Sequence, residues 1–140
     1  MTDHKLATRW GYLLKHVQAD LRTRMDTALG DVGLTASQYA ALANLEEAPG
    51  LSNAELARRS FVTPQTMVRI VTALEQRGLV VRTPRPGNAR ILDAELTRAG
   101  RAAVLAGRDV VGTVEQEMSD RLTSEQQATL VDLLTALLER

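Results

Sequence analysis

The chain has 140 residues, 44% of them hydrophobic, enough to bury the core of one domain and not comfortably of two. It contains no cysteine, which excludes disulfides, thiolate metal sites and cysteine-based redox sensing. Net charge is zero but unevenly spread: residues 51–101 carry nine arginines against four carboxylates, and the two flanks hold the compensating negative excess. No apolar run reaches the roughly 18 residues that span a bilayer. The opening "MTDHKLATRW" lacks the basic-then-apolar pattern of a signal peptide, so no membrane partner and a cytoplasmic location are expected.

Leu6, Trp10, Leu13, Leu14, Val17, Leu21, Met25 and Leu29 recur at three- and four-residue spacing, predicting one amphipathic helix over 5–29 that Gly30 ends. In "LTASQ", Thr35 and Gln38 have the spacing of a capping box, which starts a second helix that runs to about Glu47 before "PG". Ser52 and Glu55 repeat that spacing, with Leu51 placed to staple onto Leu56, and open a short third helix ending near Ser60. After "SFV", Thr63 reads as an N-cap and Pro64 as the first residue of a fourth helix, 64–77, stopped by Gly78.

"LVVRT" then predicts a strand, "PRPGNAR" a basic turn, and "ILDAEL" a return strand with Leu92, Ala94 and Leu96 on one face. Thr97 caps a fifth helix with Val104, Val111, Val114 and Met118 in one stripe. Thr123 and Gln126 open a sixth, rich in leucine from Leu130 to Leu138. Gly107 and Gly112 lie inside the fifth helix, where they permit either a close helix approach or a bend.

The fourth helix directs Met67, Ile70, Val71 and Leu74 inward, which leaves Gln65, Thr66, Val68, Arg69, Thr72 and Gln76 around the rest of it. A recognition helix reads base edges with its first turns: glutamine suits adenine, arginine guanine, and an apolar group the thymine methyl. Ser52 and Thr63, at helix starts, can aim backbone N–H groups at phosphates. A helix pair with a polar outer face is equally compatible with plain packing. The strand pair that follows, with Arg85 and Arg90 at a basic tip sized for a minor groove, turns the balance toward DNA.

With those elements in order, the chain resembles a MarR-type winged helix-turn-helix regulator from end to end. The likeness is carried by "LSNAELARRSFVTPQTMVRIVTALEQRGLVVR", by "NARILDAELTRAGR" and by "GLTASQYAALANLEEAPGLS". It implies a mainly α fold with a small β-hairpin wing, in which N- and C-terminal helices form a dimerisation region. The expected division is a DNA-binding lobe over 34–96 and dimerisation helices over 1–33 and 97–140. The family's wing usually has an aspartate two residues before its arginine; here Asn88 stands there, while Arg90 keeps its place. Asn88 retains turn hydrogen bonding without the charge.

The resemblance implies a homodimer that reads a pseudo-palindromic duplex, with half-sites about 34 Å apart, and acts as a repressor relieved by a small aromatic or phenolic ligand. Trp10, Leu14, His16 and Val17, with Tyr39 and Leu42, are placed to line a ligand cleft, and Arg9 and Lys15 to supply charge. For Trp10 and Tyr39 the competing reading as core residues is the stronger, since both lie on apolar stripes. Catalysis is not expected: the two histidines, His4 and His16, stand without a nucleophile, a phosphate loop or metal spacing, and no cofactor or metal is implied. The competing class is a winged-helix protein-docking module, which unlike a DNA reader need not respond steeply to salt.

Overall fold

The computed structural model describes residues 8–139, so His4, Lys5 and Leu6 lie outside the described residues. Eight elements of chain build the body: α1 (Trp10–Leu29), α2 (Ala36–Glu47), the short strand β1 (Leu51–Ser52), α3 (Asn53–Arg59), α4 (Pro64–Gln76), a hairpin of β2 (Val80–Arg85) and β3 (Asn88–Leu96), and the long α5 (Arg98–Ser119). A final helix, α6 (Ser124–Leu138), follows.

Helix starts follow the side-chain chemistry. Thr35 accepts from the Gln38 N–H at 3.1 Å while Gln38 Oε1 accepts from the Thr35 N–H at 3.1 Å, a reciprocal capping box. Thr123 and Gln126 repeat it on α6. Thr63 caps α4 by accepting from the Thr66 N–H, with Pro64 at the first helical position. At Ser52 only half of the expected box forms. The Ser52 hydroxyl accepts from the Glu55 N–H, but the Glu55 carboxylate is turned toward Arg85.

The backbone keeps the expected helix stop and departs from the expected wing. Gly30 ends α1 as expected, in a right-handed conformation at φ −54°, and a 3₁₀ turn, Gly30–Val32, carries the chain on to Gly33 at φ 75°. There the Gly33 carbonyl accepts from Arg77 Nη1 at 2.7 Å, tying the end of α4 to this turn. The wing, by contrast, is not a two-stranded ribbon. Leu51 and Ser52 pair with Ala94 and Asp93 to give a three-stranded antiparallel sheet in the order β1-β3-β2, and the predicted staple residue Leu51 is a buried strand residue. Leu92 and Ala94 lie on one face of β3 as expected, but Leu92, nearer the tip, is 45% exposed, while the charged Asp93 between them is buried.

The core gathers Leu29 from α1, Leu42 and Leu45 from α2, Leu56 from α3, Met67, Val71 and Leu74 from α4, Val80 and Ala94 from the sheet, and Val104 from α5. The two glycines of α5 are now distinguished. A Cβ on Gly107 would lie 2.6 Å from the Tyr39 ring, so this glycine permits close approach of α5 to α2, whereas nothing lies within 4 Å of a Cβ on Gly112. Arg108 reinforces the same junction by pairing with Glu46 of α2, and that carboxylate raises the guanidinium's already high pKa.

α6 buries none of its residues, and Leu130, Val131, Leu133, Leu137 and Leu138 are largely exposed. Trp10, Leu13, Leu14 and Val17 of α1 are exposed in the same way. One protomer therefore leaves two apolar helical faces in water, more than scattered surface hydrophobics account for.

The link between α3 and α4 holds Phe61 at φ 57°, the one non-glycine residue with positive φ among the described residues, and its side chain is 95% exposed. An L-residue in this region costs about 1–2 kcal/mol, and glycine's extra freedom in the unfolded chain offsets about 1 kcal/mol of any relief. Urea denaturation is expected to show Phe61→Gly slightly more stable, by about 0.5 kcal/mol. Phe61→Val, whose branched Cβ is worse placed in a left-handed turn, should be about 1 kcal/mol less stable.

Candidate nucleic-acid interface

α3 and α4 pack as a helix pair around Leu56, Ala57, Met67 and Val71, and this fixes which side of α4 faces out. Pro64, Gln65, Thr66, Val68 and Arg69 are all exposed, on the first two turns of the helix. Arg69 makes no ion pair among the described residues. The N-terminal half of α4 thus presents an amide, a hydroxyl, an apolar group and a guanidinium on one convex surface, a donor and acceptor set suited to a major groove. Thr72 differs from its neighbours. It is half-buried, and its hydroxyl accepts from Arg82 Nη2 of β2 at 3.0 Å, so it links helix to wing.

Arg82 was not singled out in the sequence, although the alternation of β2 places it opposite Ala94 and facing α4. Its Nε lies 3.9 Å from Glu75. Ser52, expected to aim backbone N–H groups at phosphate, is half-buried, and its hydroxyl also donates to Glu55 Oε1 at 2.9 Å. Thr63 remains exposed at the start of α4, its hydroxyl donating to that of Thr66.

At the wing, Asn88 Oδ1 accepts from the Arg90 N–H at 3.4 Å, the short-range turn bond open to an asparagine without the charge of an aspartate. Arg90 is exposed and forms no ion pair among the described residues. Arg85 is the correction. It is not a free cation at the tip: a bulge between Pro84 and Arg85 turns it inward, where Nη2 donates to Glu55 Oε1 at 2.8 Å and Nε to Asp93 Oδ1 at 2.9 Å. The free basic charge of this surface comes from Arg69 and Arg90.

The Arg85 guanidinium, with help from the Ser52 hydroxyl, holds the Glu55 carboxyl below its usual pKa of 4.5. A carboxylate with a depressed folded-state pKa contributes stability that is complete above the unfolded value and is lost as pH falls through the folded one. Thermal melts are therefore expected to separate the parent from Glu55→Gln at neutral pH. The gap should begin to narrow as pH falls below about 4.5 and close once pH is below the depressed folded-state value, where Glu55 is protonated in both states.

The six residues expected to line a ligand cleft are not brought together in one protomer. Leu42 is fully buried in the core, because α2 is clasped between α4 and α5, so it is no wall of an open site. Tyr39 is half-buried against Gly107. Trp10, Leu14, His16 and Val17 stand exposed on α1, with the His16 ring edge-on to Tyr12 at 4.4 Å. A different hollow of about 250 Å³ opens between α1, α2 and the α3–α4 turn. Met25, Ala36, Ala40 and Phe61 give it apolar walls, and Arg22 and Arg59 give it charge; Arg22 Nη2 donates to Ser37 at 2.7 Å.

The geometry agrees with what the chain is similar to. A profile of the MarR family matches residues 34–92, the whole helix pair and most of the wing. The HTH-type transcriptional repressor Rv2887 of Mycobacterium tuberculosis is 40% identical over 127 residues, 91% of each chain. The chain belongs to the MarR family. Among solved structures, this MarR-family chain superposes on M. tuberculosis Rv2887 in complex with DNA with a TM-score of 0.81 at 39% identity, covering 94% of this chain and 99% of that one. It superposes on Rv2887 in complex with salicylic acid with a TM-score of 0.80, again at 39% identity, covering 93% and 96%. The MarR-family proteins it matches are transcriptional regulators, and no helix among the described residues is long and apolar enough to cross a membrane.

Proposed function

We propose that the protein is a cytoplasmic, non-catalytic transcriptional repressor that binds a pseudo-palindromic duplex as a homodimer and is released by a small aromatic acid. The observation that carries this reading is the exposed first half of α4, with Gln65, Thr66, Val68 and Arg69 beside an unpaired Arg90 on the wing. A protein of this family that shares 39% identity, Rv2887, has been solved bound to DNA. The lobe of residues 34–96 reads one half-site. The apolar faces of α1 and α6, uncovered in one protomer, join two lobes across a two-fold axis so that their α4 helices meet successive major grooves about 34 Å apart. Gln65 and Arg69 address base edges, Thr63 and Pro64 bring the α4 N-terminus to a phosphate, and Arg90 enters the adjoining minor groove.

Fluorescence anisotropy on the protein's own upstream intergenic duplex and on a scrambled duplex, each over a salt series, tests the reading. Selective binding that weakens steeply with salt is the expected result. No binding even at low salt would replace it with a protein-docking role.

For the effector we favour the hollow beside α1 over the Trp10 surface. It combines apolar walls with two guanidiniums, the pairing a small aromatic carboxylate needs. It also touches Ser60 and Phe61, in the turn that leads into the recognition helix. A ligand there shifts DNA affinity only if it prefers one placement of that turn over another. Salicylate is expected to raise the melting temperature of the parent, to weaken its DNA binding, and to do neither in Arg22→Ala. A compound that stabilises both proteins equally would locate the site elsewhere.

A further inference from the structure

We propose that Arg85, Glu55 and Asp93 form a strap that sets the angle of the wing against the helix pair, so that Arg85 acts on DNA through the placement of Arg90 and not by touching the duplex; this rests on the DNA-binding reading above. The strap joins three pieces of chain. Glu55 belongs to the first turn of α3, Arg85 ends β2, and Asp93 lies in the central strand, across from Ser52 on one side and Thr83 on the other. One guanidinium spans both carboxylates, at 2.8 Å to Glu55 and 2.9 Å to Asp93.

Asp93 is the one charged residue buried among the described residues, at 8% exposure. A buried carboxylate without its cation is strongly unfavourable, so Asp93 gives Arg85 a reason to stay inward. The bulge at Pro84/Arg85 supplies the geometry. The tip itself holds little: Asn88 offers one 3.4 Å bond to the Arg90 N–H and no charge. The other hydrogen-bonded tie from β2 to the helix pair, Arg82 to Thr72, lies nearer the base of the hairpin, so the strap governs the end that carries Arg90.

A loosened wing occupies its DNA-competent orientation only part of the time, and the apparent Kd rises by the inverse of that fraction. Glu55→Gln separates this from simple electrostatics because the two predict opposite signs. Removing a negative charge near a polyanion tightens binding if charge alone matters; the strap predicts weaker binding, by about tenfold, with the salt slope unchanged.

The experiment uses the full-length dimer and a duplex selected from a randomised library with the parent protein. Anisotropy over a salt series is run on the parent, Glu55→Gln, Asp93→Asn and Arg85→Ala, and hydrogen exchange is measured on the same proteins without DNA. The expected result is weaker binding for both carboxylate variants, with faster exchange in residues 83–92 and unchanged exchange in α5. Binding by Glu55→Gln that equals or exceeds the parent, with Arg85→Ala lowering the salt slope by about one per half-site, would overturn the strap and make Arg85 a phosphate contact. If the parent selects no duplex, the DNA-binding reading fails, while slow wing exchange in every variant would separately refute the strap.

Discussion

Replacing Gly100 with alanine is expected to destabilise the fold by about 3 kcal/mol or more, the upper end for overpacking a core site. Gly100 stands in the first turn of α5, where its N–H donates to the capping Thr97 hydroxyl at 3.0 Å. A Cβ there would sit 2.0 Å from the Leu79 carbonyl oxygen, 3.0 Å from its carbon and 3.3 Å from Leu96. The two backbone atoms cannot swing aside as the end of a side chain can. That carbonyl already accepts from the Thr97 N–H at 3.1 Å, and the Thr97 hydroxyl donates to Gly78 at 2.6 Å, so the start of α5 is bolted to the start of β2. The methyl group must break this joint or displace α5 as a whole. Gly112→Ala on the same helix is the matched comparison: it has open space within the protomer and should gain about 1 kcal/mol from helix propensity alone. Chemical denaturation of the two variants beside the parent checks both signs. If Gly112→Ala instead destabilises the dimer, a partner helix packs on that position.

The second large effect is on DNA affinity and divides the recognition helix from the wing. Arg69→Ala is expected to cost about 1–3 kcal/mol of binding on the preferred duplex and little on random DNA, because a guanidinium that reads a base edge is lost only where that base is present. Arg90→Ala should weaken both duplexes by similar factors and lower the salt slope by about one per half-site, as expected of a charge that meets phosphate or groove shape. Anisotropy over a salt series on both duplexes reads all four numbers. Equal, small effects of the two substitutions would mean that the exposed half of α4 is not the reading surface.

Much of this protein is legible from side-chain spacing because its helix boundaries are local events. The boxes at Thr35 and Thr123, the Thr63–Pro64 start and the left-handed stop at Gly78 each depend on residues within one turn. The inward stripe of Met67, Val71 and Leu74 follows from helical period alone, and with it the outward face that carries Gln65 and Arg69. At α3 too the local chemistry holds: Ser52 caps the helix as expected, and only the return bond is missing.

What escaped the sequence depends on partners distant along the chain. Two residues at Leu51 are too few to signal a strand, and only Ala94, 43 positions on, makes them one. Arg85 looked like a free cation because nothing near it in sequence announces Glu55, 30 residues earlier, as its partner. Leu42 and Tyr39 lie on a plausible cleft-facing stripe until α5 closes over them, with Gly107 against the Tyr39 ring. The sequence by itself therefore determined the helices, the hairpin, their order and the family, since capping, periodicity and turn chemistry act over a few residues. Tertiary structure alone decided which arginines are spent on carboxylates and which remain free, because a charge's role depends on what long-range folding brings within about 4 Å of it.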